Sequence, residues 1–184
     1  QVSNACVALA AASLLGMKKE AIEKGLRHAV PKYRMQTISK NPAIIADCCH
    51  NPGAAFALAS ELRQSEGRKV LLFSAMKDKD YPKVLDILRP FFSQVLLCEV
   101  SLPRGEGLLG LKSAAEKAGF MPILVKNPHK ALLQAKRLAG HNGTVVIAGS
   151  VYLLAELFGR CETGKPFHNC AAGGCTSDKI RIAQ

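Results

Sequence analysis

Asp47-Cys48-Cys49-His50-Asn51-Pro52 brings a carboxylate, two thiols, an imidazole and an amide together between the apolar run 43–46 and a helix-like pattern over 53–64. A carboxylate at the end of a strand offers an anionic acceptor beside the positive end of the next helix, and a neighbouring imidazole can carry a proton near neutral pH. Two further polar clusters stand at the ends of apolar runs: Ser74 with Lys77-Asp78-Lys79-Asp80 after 69–73, and Gly149-Ser150 after 144–148. Read alone, D-x-x-H-N-P is also what an ordinary turn and helix cap contain, with Asp47 as a capping residue and His50 as a polar loop residue. His50 is nonetheless the one histidine in a polar strand-end cluster; His28, His129 and His141 fall in helix ends or loops and are expected to face solvent. Cys48 and Cys49 have no activating base evident in sequence and are expected to pack. The Asp78–Asp80 segment reads as a solvated loop at the cleft, and no metal ligands are assigned.

Those clusters need a scaffold. The chain has 184 residues, 48% of them apolar, enough for one main core at the usual domain size of ~100–150 residues. No apolar run approaches the ~20 residues that span a bilayer, and no secretory leader pattern opens the chain, so a cytoplasmic chain without membrane contact is expected. Seven cysteines are scattered rather than evenly spaced, which fits a reducing compartment. The formal charge of +11 is spread along the chain, with ten Phe and Tyr residues and no tryptophan, an arrangement that argues against nucleic acid and fits a small polyanionic ligand.

The periodicity supplies the elements. "NACVALAAASLL", 4–15, predicts a buried helix closed by Gly16, and 19–28 a second helix with Ile22 and Leu26 on one face. Pro31 ends this pair. "RMQTISKNPAIIAD" predicts two short strands around the turn dipeptide Asn41-Pro42. Strand–helix alternation follows: 43–46 to 53–64, 69–73 to 81–92, 94–100 to 109–118, 122–125 to 128–138, and 144–148 to 151–158. Five such units predict an α/β fold, a doubly wound, mostly parallel sheet that binds ligands at the carboxyl ends of its strands. Beyond Arg160 the periodicity is lost. Cys161, His168, Cys170 and Cys175 lack the C-x₂-C spacing of common zinc sites, so 161–184 reads as an irregular tail.

Asp47 to Pro52 resembles the D-G-A-H-N-P signature in the C-terminal domain of folylpolyglutamate synthase and dihydrofolate synthase, members of the Mur ligase superfamily. Four more stretches resemble that family in the same order: "SNACVALAAASLL" its N-A-x-x-A-x-A-A helix, "GLRHAVPKYRMQ" its G-L-x-x-x-x-x-P-G-R-x-Q segment, "FSAMKDKDYPKVLDIL" its G-M-x-x-D-K-D loop, and "VVIAGSVYLLAEL" its V-x-x-x-G-S-x-Y-L-x-x-E ending. The resemblance covers residues 3 to about 158. It implies a helical end of a central ATPase domain at 1–30, a Rossmann-like Mur ligase C-terminal domain at 31–160, and the tail at 161–184.

The same resemblance implies an ATP-dependent ligase that phosphorylates a folate or dihydropteroate carboxylate and passes the acyl group to the amine of L-glutamate. Arg34 and Asp47 match positions on the ATP side; His50 and Ser150 match positions that hold the incoming glutamate, with His50 orienting or polarising its amine. ATP and Mg²⁺ are the implied cofactors, with the metal's ligands mainly in domains this chain lacks. No G-x-x-x-x-G-K-[ST] phosphate loop occurs, which implies a fragment that acts with a missing N-terminal ATPase domain, is a monomer, and is inactive alone. Two departures stand out: Tyr33 replaces the glycine before the arginine, and Cys48-Cys49 replace Gly-Ala after the aspartate. A Mur-type peptidoglycan ligase domain fits less well, because the H-N-P and G-S-x-Y-L forms belong to the folate branch. A non-catalytic ligand-binding module is the reading outside the ligases, and an upstream phosphate loop separates the two.

Overall fold

Val70-Leu71-Leu72-Phe73, Val95-Leu96-Leu97 and Val145-Val146-Ile147-Ala148 are fully buried. Unbroken apolar runs of this length are what a parallel strand needs when helices cover both of its faces. The computed structural model describes residues 2–29 and 32–159. They divide into two units, Gln1–Lys32 and Tyr33–Gln184.

The first unit is a helix pair, α1 (Val2–Leu14) and α2 (Lys19–His28). Gly16 closes α1 at φ +71°, as expected of a left-handed cap. The expectation of a buried helix is not met: α1 has no buried residue, and Leu14 is 89% exposed. Its apolar residues surround the axis with no polar face, so a single neighbouring helix cannot cover them. In α2 only Ile22 is buried, and Glu23 meets Lys19 at 4.0 Å and Arg27 at 3.9 Å.

In the second unit a six-stranded sheet carries β1 (Gln36–Lys40), β2 (Ala43–Ala46), β3 (Lys69–Phe73), β4 (Gln94–Leu97), β5 (Ile123–Leu124) and β6 (Thr144–Ala148) in the order β1-β2-β6-β3-β4-β5. Only the β1–β2 pair is antiparallel. The helices between are α3 (Pro52–Leu62), α4 (Tyr81–Leu88), α5 (Leu108–Lys117), α6 (Pro128–Ala139) and α7 (Val151–Phe158). This is the expected doubly wound, mostly parallel α/β fold.

Alternation along each strand divides the core into two layers. Leu71, Phe73, Val95, Leu97 and Val146 pack with α3, α4 and α5; Val70, Leu72, Leu96, Val145 and Ile147 pack with α6 and α7. The helices after β2 and β3 thus lie on one face, while the helix after the strand between them, β6, lies on the other. In doubly wound sheets this reversal is where a crevice is expected, here at the carboxyl end of β6.

Beyond shifts of one or two residues at helix ends, three elements are shorter than the periodicity suggests, two of them at prolines. α4 stops at Leu88 and passes into a 3₁₀ turn over Arg89–Phe91, because Pro90 has no N–H to continue the ladder. β5 shrinks to two residues after Pro122, on an edge where little pairing is lost. β4 ends at Leu97, beyond which the chain turns through a Leu102 N–H to Val100 carbonyl bond of 2.8 Å.

Gly149 joins β6 to α7 at φ +100°, and a Cβ there would overlap the Ser74 carbonyl oxygen and the Phe73 ring. Both the backbone conformation and the space exclude a side chain. Gly149→Ala is expected to destabilise the fold by about 2–5 kcal/mol, the sum of left-handed strain and overpacking. A lowered urea midpoint at unchanged slope checks it; an unchanged midpoint contradicts the assigned packing.

Candidate active site

The crevice is lined by the segments that leave the carboxyl ends of β2 and β6. The two segments stay bonded beyond the strands, Asp47 N–H donating to the Ile147 carbonyl at 3.0 Å and, with the register shifted, Gly149 N–H to the Cys49 carbonyl at 2.7 Å. His50 and Ser150 are the residues that follow Cys49 and Gly149, the two joined by the second of these bonds.

Asp47 is 6% exposed, and its side chain does not serve the start of α3. Asn51 caps α3, accepting from Ala54 N–H at 2.9 Å, and Pro52 occupies the first turn. The Asp47 carboxylate instead accepts from Met35 N–H through Oδ2 and from Cys49 N–H through Oδ1, both at 2.9 Å. Burial pushes its pKa above the ordinary carboxylate value, against the opposing pull of those two bonds and of the Arg34 charge. A carboxyl raised in this way binds protons more readily folded than unfolded, so its contribution to stability declines as pH rises from its unfolded value through its folded one.

Arg34 sits half-buried in the turn before β1, and its charge acts on Asp47, Cys48 and Cys49 alike. It lies between two left-handed residues with side chains, Tyr33 at φ +53° and Met35 at φ +49°. Tyr33 therefore takes the backbone conformation that favours glycine at that position.

His50 is half-buried, with Nδ1 at 2.9 Å from the Cys48 carbonyl. A carbonyl only accepts, so Nδ1 carries the proton and Nε2 of the neutral ring presents a lone pair. Ser150 caps α7 with Oγ accepting from Tyr152 N–H at 3.1 Å, which leaves its hydroxyl proton to donate; the residue is 2% exposed. Together these residues can bind an anion through Arg34, accept a proton or an N–H at His50, and donate a hydrogen bond at Ser150.

Cys48 and Cys49 pack as expected, on opposite sides. Cys48 lies in the core layer with Tyr33 and α7, and Cys49 in the layer with α3. Their side chains cannot act as one dithiol. Burial raises all three interior thiols, Cys48, Cys49 to about 12, and Cys98 further.

The Asp78–Asp80 segment forms structural contacts. Asp78 meets Arg104 at 3.1 Å and Lys79 at 3.3 Å, and a hydrogen bond from Lys79 is the main cause of its lowered pKa. Asp80 caps α4 through Lys83 N–H at 3.3 Å. Among the described residues no three His, Cys, Asp or Glu side chains converge as a metal set. The tail residues Cys161, His168, Cys170 and Cys175 lie outside the described residues. His28 and His141 are exposed as expected, whereas His129 is half-buried in the first turn of α6, beside buried Pro128.

Sequence reasoning missed two supports of the site. Glu156, the last residue of the G-S-x-Y-L-x-x-E pattern, is buried and accepts from Ser101 N–H at 3.0 Å and Ser101 O–H at 2.9 Å, tying α7 to the loop after β4. Its place in the pattern was the available signal. Arg104, on that loop, lies 5.8 Å over the Tyr152 ring while pairing with Asp78; nothing in its local sequence marked it.

Residues 33–151 match the family described as Mur ligase, glutamate ligase domain. The chain belongs to that family. Over 159 residues it is 33% identical to a probable bifunctional folylpolyglutamate synthase/dihydropteroate synthase of Halobacterium salinarum, covering 85% of this chain and 19% of that protein. The fold superposes with a TM-score of 0.73 and 27% identity on E. coli FolC in complex with DHPP and ADP, covering 84% of this chain and 37% of that one. A bifunctional folylpolyglutamate synthase/dihydrofolate synthase with Mn, AMPPNP and L-glutamate bound gives 0.65 and 26%, over 77% and 34% of the respective chains. This chain therefore spans between 19% and 37% of the length of these relatives.

The thiol environments of this Mur ligase domain lead to a chemical test. Iodoacetamide at mildly alkaline pH is expected to modify exposed Cys6 quickly, and Cys49 about a thousandfold more slowly than an ordinary thiol, given its pKa near 12. Peptide-resolved mass spectrometry reads the rates. Equal labelling of Cys6 and Cys49 in the native protein would contradict the buried placement.

Proposed function

We propose that this chain is the glutamate-side domain of an ATP-dependent ligase that joins L-glutamate to the carboxylate of a folate or dihydropteroate through an acyl phosphate. The observation that supports the reading is that Asp47, His50 and Ser150 stand on the hydrogen-bonded segments leaving β2 and β6, with the turn that carries Arg34 bonded to Asp47, in a chain of the glutamate ligase family. Relatives solved with ADP and DHPP, or with AMPPNP, Mn and L-glutamate, support the substrate set.

In this reading residues 1–30 are the helical end of an ATPase domain, 31–160 the Mur ligase C-terminal domain, and 161–184 a tail. The uncovered apolar surface of α1 supports the first assignment, since an all-round apolar helix needs neighbours on every side. The ATPase domain supplies the phosphate loop and the ligands of a divalent ion, Mg²⁺ in the proposed enzyme, whose role there is to neutralise phosphate charge. The whole ligase is proposed to be a cytoplasmic monomer; no helix among the described residues is long and apolar enough to cross a membrane.

Within the domain the residues divide the work. The Arg34 fork faces nucleotide phosphate or ribose, where its planar donors suit oxygen pairs. Asp47 fixes the turn that carries Arg34. The Nε2 lone pair of His50 accepts from the glutamate ammonium as it becomes the attacking amine, and Ser150 donates to a glutamate carboxylate.

The test is glutamate-dependent ADP formation by the polypeptide that carries this chain behind its ATPase domain, with folate or dihydropteroate as acceptor acid. Arg34→Ala is expected to raise KM for ATP about tenfold to a hundredfold, the worth of a charge-assisted contact. Ser150→Ala is expected to raise KM for glutamate about tenfold, and His50→Ala to lower kcat about a hundredfold. The isolated 184-residue chain is expected to release no phosphate. Turnover only with a peptidoglycan precursor, or variants indistinguishable from the parent, would overturn the reading.

A further inference from the structure

Two of the three residues at which this chain departs from the resembled signature, Tyr33 and Cys48, touch each other. The Tyr33 carbonyl accepts from Cys48 N–H at 2.7 Å and from the Cys48 thiol at 3.0 Å. Left-handed backbone is disfavoured for a residue with a Cβ and persists only where surrounding contacts fix it. Here the contacts are explicit. Tyr33 N–H donates to Gln36 Oε1 at 3.0 Å, the Tyr33 ring lies 6.3 Å from that of Phe158, and Met35 N–H is held by Asp47.

Both residues flanking Arg34 are therefore bolted to consecutive residues of the strand-end segment, Met35 to Asp47 and Tyr33 to Cys48. Two anchors on either side of one residue leave its backbone a single orientation. We propose that Cys48 is a positioning residue: its thiol and amide latch the Tyr33 carbonyl, hold the turn left-handed without the glycine, and so preset Arg34 toward its ligand. The inference rests on the proposed nucleotide-side role of Arg34. Cys49 cannot substitute, because its side chain enters the opposite core layer. Burial keeps the Cys48 thiol protonated, the form that donates.

The latch makes the thiol matter to one substrate only. In the ATPase-linked polypeptide, Cys48→Ala is expected to raise KM for ATP about threefold to tenfold, as the loss of one hydrogen bond would. KM for glutamate is expected to stay unchanged, and Cys48→Ser, which keeps a donor, to recover most of the loss. Hydrogen exchange at the Met35 amide, measured without ATP, is expected to quicken by a similar factor in Cys48→Ala and to return toward the parent rate in Cys48→Ser. A Met35 exchange rate that Cys48→Ala leaves unchanged overturns the latch whether or not ligation is detected. Equal rises in KM for ATP and for glutamate also overturn it. Absent ligation by the parent polypeptide, with the exchange effect present, instead overturns the proposed reaction and supports the latch.

Discussion

Asp47 is a carboxylate placed where ionisation costs stability, and the strand-end architecture hangs on it. Its two oxygens face in two directions, one to the Met35 amide before β1 and one to the Cys49 amide beyond β2. A neutral side chain of the same shape cannot accept from both amides with both ends, so the position requires a carboxylate. The desolvation cost is reduced by those bonds and by Arg34 and is not removed by them, since the shift remains upward.

The crevice follows from topology rather than from any one residue. β6 enters the sheet between β2 and β3, and its helix leaves to the opposite face. Gly149 lets the chain turn against Ser74 and Phe73 at that junction, so Ser150 reaches the cap of α7. The loop after β4 is tied to α7 through Glu156 and Arg104. Backbone hydrogen bonds and tight packing set nearly every position, and the few side-chain atoms left to meet ligands are held by a rigid frame.

Much of this was legible in the residues. Buried parallel strands announce themselves as unbroken apolar runs, and all five strand–helix units stand where periodicity places them. The strand-end positions of Asp47, His50 and Ser150 follow directly. The features that could not be read were long-range or conformational. Composition shows that α1 is apolar but not what covers it. Pro90 and Pro122 shortened two elements because local breakers override the periodic signal. Arg34 was legible only through the resemblance; the left-handed turn around it has no sequence signal when its flanks are tyrosine and methionine rather than glycine. Asp47 looked like a neighbour of the α3 terminus, whereas Asn51 takes that place and Asp47 reaches twelve residues back to Met35.

The central claim is that the β2–β6 crevice receives glutamate while the Arg34 turn faces nucleotide. A crystal structure of the ATPase-linked polypeptide with ADP and L-glutamate bound tests it most directly. His50 Nε2 and Ser150 Oγ are expected within hydrogen-bonding distance of glutamate, and the Arg34 guanidinium on the nucleotide with Tyr33 and Met35 still left-handed. Glutamate seated elsewhere, for instance in the groove between α4 and α5 lined by Lys83 and Lys117, with His50 facing solvent, would contradict it.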